Sequence, residues 1–281
     1  MIYDVVIIGS GPAGISAAIY AKRRKLSVLI ISKGKGALEK AEKIENYYGF
    51  PKGITGKELY ENGIKQAKML DINMIEDEVV SLAYMENFEV NTVNSTYIAK
   101  SVILATGANR ITPNIKGVQE FEGKGVSYCA VCDAFFYKGK DVAVLGSGNY
   151  AIHEMEQLKP VANSVTILTN GEEIVENRDI DVNVDSRKIR EFRGDNQIQE
   201  VEFEDGKKQL INGIFIALGT ASSNDLARKI GARIENNHIV VNENMQTTVP
   251  RLFACGDCTG GLLQISKAVY EGAKAGLAVL K

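Results

Sequence analysis

The residues of this chain best suited to chemistry are Cys129 and Cys132, which form a CxxC motif followed directly by Asp133. Two thiols at this spacing can close into a small disulfide ring when the first turn of a helix follows, because a helix amino terminus stabilises a thiolate. The carboxyl group of Asp133 could protonate the thiolate that leaves when the disulfide is reduced. The motif therefore predicts a reversible redox pair, and half of a zinc site or a chance pairing remain as alternatives.

Length, composition and charge limit the classes of protein to consider. A chain of 281 residues has room for two domains with buried cores, and 45% hydrophobic with 24% charged residues is typical of a globular enzyme. The net charge of -2 gives no general attraction to nucleic acid or to a membrane surface. No apolar run is long enough to span a bilayer and no signal-type segment is visible, so we expect a cytoplasmic enzyme without nucleic-acid or membrane partners.

A glycine-rich loop precedes the cysteines. The apolar run at 5–8 predicts a buried strand, and it enters the GxGxxG sequence GSGPAG at 9–14. Glycines allow a pyrophosphate to approach the backbone, and the helix that follows directs its free amides at the phosphate charge. The next strand, at 27–32, ends in Ser32 where an acidic residue commonly binds the ribose, so ribose recognition falls to Ser32 or to the loop behind it.

A second glycine-rich loop follows the cysteines. The strand predicted at 141–145 enters GSGNYA at 146–151, and strands at 165–168 and 213–218 complete a second dinucleotide-type domain. Just past the strand at 165–168, binding of NADPH needs cations and binding of NADH needs an acid. This chain has Thr-Asn-Gly-Glu-Glu there, at 169–173. The stretch 170–190 also lacks helical periodicity, which predicts that the crossover helix is missing. Weak NADH binding through the glycine loop remains an alternative.

Other segments are predicted to complete the first domain. Strands are expected at about 74–80 and 88–93, and the strand at 101–105 ends in Thr106-Gly107-Ala108 at the carboxyl edge of a parallel sheet, where ligands of α/β folds bind. The loop Glu-Asn-Tyr-Tyr-Gly-Phe-Pro at 45–51 could line a planar cofactor, or it could be a packed surface loop. Polar, proline-bearing sequence at 109–117 is expected to connect the domains.

The carboxyl-terminal segment is predicted to return to the first domain. Asp257 follows a short buried strand and is placed to accept hydroxyl groups of a flavin, and a helix is expected from about 263 to 280. Lys267, in the second turn of that helix, could stabilise a reduced anionic flavin. Cys255 and Cys258 form a second CxxC, which we interpret as small buried residues rather than a redox or metal site, and no metal site is predicted.

Together these motifs predict an α/β protein of two Rossmann-like, three-layer domains of the dinucleotide-binding type. The order of motifs resembles that of the low-molecular-weight thioredoxin reductases over almost the whole length: the first glycine loop, NYYGFP, ATG, CAVCD, the second glycine loop, and Gly-Asp before a helix. The resemblance implies a discontinuous FAD-binding domain at 1–111 and 249–281. It also implies an inserted CxxC domain at 112–248, which resembles a degenerate NAD(P)H-binding domain, and a homodimer.

The resemblance also implies roles for individual residues. Cys132, nearer the flavin, would receive electrons, Cys129 would attack the disulfide of thioredoxin, and Asp133 would serve as the acid. The FAD contacts carried over by position are Gly9, Ser10, Gly11, Pro12, Ala13, Asn46, Gly107, Asp257, Lys267 and Ala268. Ser32, Val79 and Thr106 complete the predicted cofactor-binding set.

Departures from the family pattern favour one branch of it. Members that use NADPH carry a His-Arg-Arg run where this chain has 169–173, and a Gly-Gly-Gln-Leu loop where it has Gly-Ala-Leu at 36–38. These departures look like the ferredoxin-dependent flavin thioredoxin reductases, in which ferredoxin supplies electrons one at a time to FAD. Lysines at 33, 35, 40 and 43 could attract an acidic ferredoxin. An NAD(P)H-driven reductase with an altered pocket, and a non-catalytic redox-sensing flavoprotein, are the alternatives.

Overall fold

Strands and helices alternate along most of the chain in the computed structural model, which describes residues 1–107, 113–175 and 180–279. The strands are β1 (Ile2–Ile8), β2 (Val28–Ser32), β3 (Asn73–Glu76), β4 (Val79–Tyr84), β5 (Phe88–Thr92), β6 (Thr96–Leu104), β7 (Val126–Ser127), β8 (Asp141–Leu145), β9 (Ser164–Leu168), β10 (Asn183–Asp185), β11 (Ile189–Gly194), β12 (Ile198–Phe203), β13 (Lys208–Leu210), β14 (Gly213–Ile216), β15 (Ile234–Glu235), β16 (His238–Ile239) and β17 (Leu252–Ala254). The α-helices are α1 (Pro12–Arg23), α2 (Gly56–Met69), α3 (Ala130–Asp133), α4 (Asn149–Leu158), α5 (Ser223–Lys229) and α6 (Ile265–Ala278), with short 3-10 helices at Gly36–Lys40, Ala134–Tyr137 and Asp257–Thr259.

The first compact unit comprises Met1–Asn109 and Ser222–Lys281. Its sheet has the order β3-β2-β1-β6-β5-β4, and β17 also pairs with β6. β1, β2, β3, β6 and β17 run parallel, so their carboxyl ends meet at one edge of the sheet. The apolar runs of β1 and β2 are buried on both faces, as expected for central strands of a parallel sheet.

Close packing of α1 against α6 fixes the helix that follows the first glycine loop. A methyl group added at Gly272 of α6 would lie 2.1 Å from the carbonyl oxygen of Ala13, and one at Gly276 would lie 2.2 Å from that of Ala17. Both positions are therefore restricted to glycine by the approach of the two backbones. Arg24, just after α1, donates to the carbonyl oxygens of Leu277 and Val279 and so ties α1 to the end of α6.

The second compact unit, Arg110–Ala221, contains the CxxC motif and the second glycine loop. Its parallel sheet has the order β10-β9-β8-β14-β7, and β11, β12 and β13 form a separate antiparallel sheet. Residues from both sheets form one hydrophobic core, which includes Tyr128, Leu145, Phe192 and Phe203. The segment between β9 and β10 contains no helix among the described residues 169–175 and 180–182, in line with the prediction of a missing crossover helix.

Two predicted boundaries differ from those of the structure. Residues 222–248, predicted for the middle domain, pack with the first unit, where Lys229 of α5 donates to the carbonyl oxygen of Val80 and Met245 joins the core. The predicted strand at 74–80 is interrupted at Asp77, because β3 is a parallel neighbour of β2 whereas β4 runs antiparallel to β5. The other predicted boundary, at 111/112, and Ala108 lie outside the described residues.

Candidate functional site

The first glycine loop links β1 to α1 and is shaped by close backbone contacts. Gly9 has a φ of 110°, and a methyl group there would lie 2.3 Å from the carbonyl oxygen of Ala105. A methyl group at Gly14 would lie 1.9 Å from the carbonyl oxygen of Gly9. At Gly11, by contrast, the corresponding position has no heavy atom within 4 Å. The loop therefore leaves open space beside Gly11, directly before the free amides of α1, and this space fits a pyrophosphate.

Residues from three further strand ends lie at the same sheet edge as this loop. The amide of Gly9 donates to Ile31 at the end of β2, the amide of Ala105 donates to Ile8, and the amide of Cys255 donates to Leu104. Thr106 and Gly107, which follow β6, and Asp257, which follows β17, are therefore brought to the edge where the first glycine loop begins. Ser32 ends β2 at that edge and is half-buried. The fold thus brings most of the predicted flavin residues together.

Side chains around this edge are tied down by hydrogen bonds. The hydroxyl groups of Ser10 and Tyr60 lie 3.0 Å apart, and those of Thr106 and Ser223 lie 2.7 Å apart. Asn46 donates through its side-chain amide to Gln264 at 2.8 Å, which connects the loop at 45–51 to the start of α6. These contacts hold the loops beside the first glycine loop in place. Sequence reasoning did not identify Tyr60, Ser223 or Gln264, because their types and positions match no motif.

The ammonium group of Lys267, predicted to face a flavin, is engaged by three groups of the protein itself. Its ammonium group donates to the carbonyl oxygen of Gly256 at 2.8 Å and to the hydroxyl of Thr259 at 2.9 Å, and it lies 3.0 Å from the carboxylate of Glu271. Glu271 also accepts hydrogen bonds from the amide of Gly256 and from Thr259. The pair therefore braces the loop that carries Asp257. A direct contact of Lys267 with the flavin remains a prediction.

Val79 and Ala268 occupy different positions relative to the glycine loop. Ala268 is buried in α6, and its Cβ atom lies 3.9 Å from the position that a methyl group at Gly256 would take. Val79 begins β4, which β5 and β6 separate from β1 in the sheet. The contribution of Val79 to a flavin site therefore depends on its backbone or on a ligand long enough to reach that strand, and it stays a prediction.

Cys129 and Cys132 form a disulfide with a Cα–Cα distance of 5.3 Å. Cys129 is the N-cap of the short helix α3, and the amide of Cys132 donates to its sulfur at 3.2 Å. Cys129 is buried, whereas Cys132 is exposed. A partner that reacts with the sulfur of Cys129 therefore needs that sulfur to become accessible.

Hydrogen bonds hold the disulfide turn and its neighbouring acid. Asp133 accepts a hydrogen bond from the hydroxyl of Ser127 at 2.6 Å, and that hydroxyl oxygen accepts the amide of Cys129 at 3.2 Å. The carboxylate is thus fixed beside the pair that it is predicted to protonate. Burial, and then the negative charge of Asp133, raise the pKa of Tyr137 in the following turn. Glu154 of α4 accepts the amide of Ala130 at 2.7 Å, a contact that sequence reasoning did not predict.

Exposed apolar side chains surround the disulfide. Val131 lies inside the motif with 53% of its surface exposed, and Phe135 and Phe136 in the next turn are 79% and 68% exposed. Large hydrophobic side chains grouped in this way at a protein surface usually mark a site for a protein partner. The sequence shows the residues, but only the structure shows that both rings face solvent.

The second glycine loop is contacted by the segment that follows β9. The amide of Val175 donates to the carbonyl oxygen of Ser147, the middle residue of the loop, at 3.0 Å. The segment reaches this position through a tight turn in which Thr169 accepts the amide of Glu172 and donates its hydroxyl to the carbonyl oxygen of the same residue. Asn170 accepts the amide of Ile189 through its side chain. These contacts hold the stretch after β9 against β11 and the second glycine loop, while the side chains of Glu172 and Glu173 stay exposed.

The second CxxC pair differs from the first. Cys255 and Cys258 are free thiols that are fully buried, and Cys258 points its sulfur toward the carbonyl oxygen of Cys255 at 3.4 Å. Burial raises the pKa of Cys258 to about 12 and that of Cys255 well above its ordinary value. Over the described part of the chain, no group of three or more His, Cys, Asp or Glu side chains could hold a metal ion. Within the same residues, no helix has the length and hydropathy to cross a bilayer.

Comparison with known proteins agrees with this site. Residues 3–272 match the family model described as pyridine nucleotide-disulphide oxidoreductase. The chain is 37% identical over 301 residues to a thioredoxin reductase of Aquifex aeolicus, a match that covers 100% of this chain and 93% of that protein. The atypical thioredoxin reductase TRi of Desulfovibrio vulgaris Hildenborough has a similar structure, with a TM-score of 0.94, 38% identity, and coverage of 99% of this chain and 96% of that one.

A ferredoxin-flavin thioredoxin reductase from Clostridium acetobutylicum is also similar, with a TM-score of 0.73, 34% identity, and coverage of 99% of this chain and 96% of that one. The fold, the open glycine loop and the disulfide define an FAD-dependent disulfide oxidoreductase. The chain belongs to the low-molecular-weight thioredoxin reductase family. Its cofactor is therefore FAD, and thioredoxin is its substrate.

Proposed function

We propose that this thioredoxin reductase receives its electrons from ferredoxin and not from NADPH or NADH. The main support is the hydrogen bond from the amide of Val175 to the carbonyl oxygen of Ser147, which holds the segment after β9 against the second glycine loop. A bound nucleotide needs this loop to be open, because its pyrophosphate must reach the backbone amides at the start of α4. In the first glycine loop, by contrast, Gly11 faces open space among the described residues.

The charges beyond β9 also support this proposal. Thr169 is buried, the Oδ1 atom of Asn170 accepts the amide of Ile189 in β11, and neither residue carries the positive charge that a 2′-phosphate needs. Glu172 and Glu173 are exposed, and their negative charges would repel the 2′-phosphate of NADPH. The likeness to a protein described as a ferredoxin-flavin thioredoxin reductase is in line with the same donor.

The chain's residues suggest how electrons reach thioredoxin. FAD, when bound, can accept electrons singly and deliver them in pairs. These two electrons would break the bond between Cys132 and Cys129, with Cys132 taking up one proton and Cys129 leaving as a thiolate that exchanges a second proton with Asp133. As the thiolate, Cys129 would then attack the disulfide of thioredoxin, and Cys132 would release the product by closing the ring again. Two electrons and two protons thereby pass to thioredoxin, and the Cys129–Cys132 disulfide is restored.

We propose that Val131, Phe135 and Phe136 form the contact surface for thioredoxin. They are exposed apolar side chains beside the reacting sulfurs, so a partner that buries them would reach the disulfide. Phe136→Ala is expected to raise the KM for thioredoxin about tenfold while FAD content stays unchanged. Leu210→Ala, which changes an exposed apolar residue on β13, is the control.

The docking site of ferredoxin is not assigned to the lysines at 33, 35, 40 and 43. Lys33 is paired with Glu78, Lys35 with Glu39 and Lys43 with Glu45, so most of this stretch's positive charge is compensated locally. We also propose a homodimer, which would bury exposed side chains such as Tyr270 and Leu277 on α6. A cytoplasmic location is proposed because catalytic CxxC pairs suit a reducing compartment.

One observation favours NAD(P)H as the donor instead. The side chain of Lys188 runs beside Gly171, since a methyl group at this glycine would lie 3.2 Å from its carbons. A lysine near the turn after β9 could attract a phosphate. The second candidate function is therefore an NAD(P)H-dependent thioredoxin reductase in which the segment ending at Val175 moves away from the glycine loop.

Turnover of thioredoxin with each donor separates the two functions. The purified yellow protein is mixed with oxidised thioredoxin and either NADPH, NADH or ferredoxin kept reduced, and new thioredoxin thiols are counted. Our proposal predicts thiols with ferredoxin alone, and none with a Cys132→Ser variant under the same conditions. Thiol production with NADPH at a rate equal to that with ferredoxin would contradict it.

A further inference from the structure

Glu154 makes an unusual contact with the redox turn. It lies in α4 with 1% of its surface exposed, and its Oε2 atom accepts the amide of Ala130 at 2.7 Å. Ala130 is the first residue of α3 and directly follows Cys129. A buried carboxylate therefore lies one peptide group away from a sulfur of the disulfide. The reaction outlined above assigns no task to this residue.

Burying this carboxylate has an energetic cost that a neutral residue would avoid. A carboxylate taken out of water needs strong hydrogen bonds to compensate for lost solvation. Its bond to the amide of Ala130 is short, as charge-assisted hydrogen bonds are. The bond also joins α4 to a turn 24 residues earlier in the chain, so it fixes the position of the CxxC motif against the parallel sheet.

The same contact changes the electrostatics of the sulfur of Cys129. Free amides at the start of a helix normally stabilise a thiolate. Here the amide of Cys132 donates to the sulfur of Cys129, but the amide of Ala130 is engaged by Glu154, whose buried carboxylate adds a negative charge nearby. A second negative charge on the neighbouring sulfur is therefore disfavoured.

We propose that Glu154 is a positioning residue that holds the disulfide turn and makes the reduced pair a stronger reductant. Reduction of the disulfide by two electrons and one proton leaves one thiol and one thiolate. Stabilising the reduced form of a disulfide pair raises its reduction potential and makes it an oxidant. An environment that disfavours the thiolate destabilises the reduced form, so it lowers the reduction potential. The inference rests on the redox role of Cys129 and Cys132 but not on the identity of the electron donor.

Glu154→Gln tests the charge while it keeps the size of the side chain and its acceptor oxygen. The FAD-loaded variant is equilibrated with mixtures of reduced and oxidised dithiothreitol, and the fraction of the Cys129–Cys132 pair that is reduced is measured by alkylation and mass spectrometry. The equilibrium constant for reduction is expected to rise about tenfold, which is about 30 mV for a two-electron couple. Glu156→Gln, an exposed change in the same helix, is expected to match the native protein. An unchanged equilibrium constant in Glu154→Gln would overturn the proposal.

The rate of alkylation of reduced Cys129 against pH gives an independent measurement. Glu154→Gln is expected to shift the midpoint of this profile to lower pH, because the thiolate forms more readily. Other titratable groups on the surrounding elements are Tyr128, Cys132, Asp133, Tyr137, Tyr150, His153 and Glu156, and Glu154→Gln leaves them in place. If Glu154→Gln does not fold, Glu154→Asp keeps the charge and is expected to give the native equilibrium within twofold. A tenfold shift in Glu154→Asp would contradict the role of the charge.

Discussion

The glycine loops after β1 and after β8 have the same strand–loop–helix frame, yet they differ in what lies over them. Beside Gly11 in the first loop there is open space, whereas the amide of Val175 bonds to Ser147 in the second. Free helix amides are present in both frames. The comparison teaches that a glycine loop becomes a nucleotide site only where the rest of the chain leaves room for a ligand.

The two CxxC pairs show the same kind of difference. Cys129 and Cys132 form a disulfide in which Cys132 is exposed. Cys255 and Cys258, on either side of Gly256 and Asp257 in the sequence, are buried free thiols. The spacing is identical in both, so the environment decides which pair can exchange electrons with a partner. Of the two cysteine pairs, one has an exposed member and the other is enclosed by protein. Of the two glycine loops, the first has open space beside Gly11 and the second accepts a backbone hydrogen bond from Val175.

The largest expected effect comes from removing one sulfur of each pair. Cys132→Ser should reduce thioredoxin turnover by at least about a thousandfold, because no disulfide can form to relay electrons. FAD absorbance should remain, since the first glycine loop is unchanged. Cys258→Ala should keep turnover within about twofold, because this thiol is enclosed and acts as a packing group. Equal losses in the two variants would remove the distinction between the pairs.

Chemical labelling compares the pairs without mutation. After reduction, iodoacetamide at pH 8 is expected to label Cys132 at least about a hundredfold faster than Cys258, because only the thiolate reacts and burial raises the pKa of Cys258 to about 12. Peptide mass spectrometry over time gives the two rates. Comparable rates in the folded protein would show that the second pair is open to solvent.

Matched alanine substitutions test the two glycine loops. Gly11→Ala should weaken FAD binding about tenfold or more, because its methyl group enters the open space for the pyrophosphate without meeting protein atoms. Gly148→Ala should leave turnover with reduced ferredoxin unchanged, although its methyl group lies 3.3 Å from the carbonyl oxygen of Gly219. FAD fluorescence titration and turnover measure the two effects. Full FAD affinity in Gly11→Ala would contradict the assignment of the first loop.

A smaller effect, on thermal stability, is expected when the pH is lowered, and it depends on Glu191 in the second compact unit. Hydrogen bonds from Lys116 and Arg193 lower the pKa of Glu191 from its ordinary value of 4.5 to about 2. Because the folded pKa is the lower one, the carboxylate stabilises the folded protein above about pH 4.5, and this contribution is lost as pH falls toward 2. Glu191→Gln should therefore lower the thermal midpoint at pH 7, and the difference from the native protein should shrink at pH 3. A constant difference would indicate that charge is not involved.

Local patterns allowed much of the fold to be predicted. The strand–glycine–helix order predicts the positions of β1 with α1 and of β8 with α4. The stretch after β9 has no periodic apolar face and so predicts no crossover helix, and none is present at 169–175 or 180–182, the described part of that stretch. Each of these features depends on residues close together in the sequence.

Contacts between distant residues could not be predicted in the same way. The bonds of Val175 to Ser147 and of Glu154 to Ala130 join ordinary residue types that match no motif. The assignment of 222–248 to the first unit depends on α5 packing near β4, which no local pattern indicates. The sequence therefore locates the motifs, and the tertiary structure decides which of them is accessible.

The flavin absorbance tests most directly whether the second glycine loop binds a nicotinamide nucleotide that can reduce the flavin. The FAD-loaded protein is mixed without oxygen in a stopped-flow instrument with NADPH, with NADH and with reduced ferredoxin, and the flavin absorbance band is followed. The proposed function predicts rapid bleaching by ferredoxin and a stable band with either nucleotide. Bleaching by NADPH at least as fast as thioredoxin turnover would contradict it.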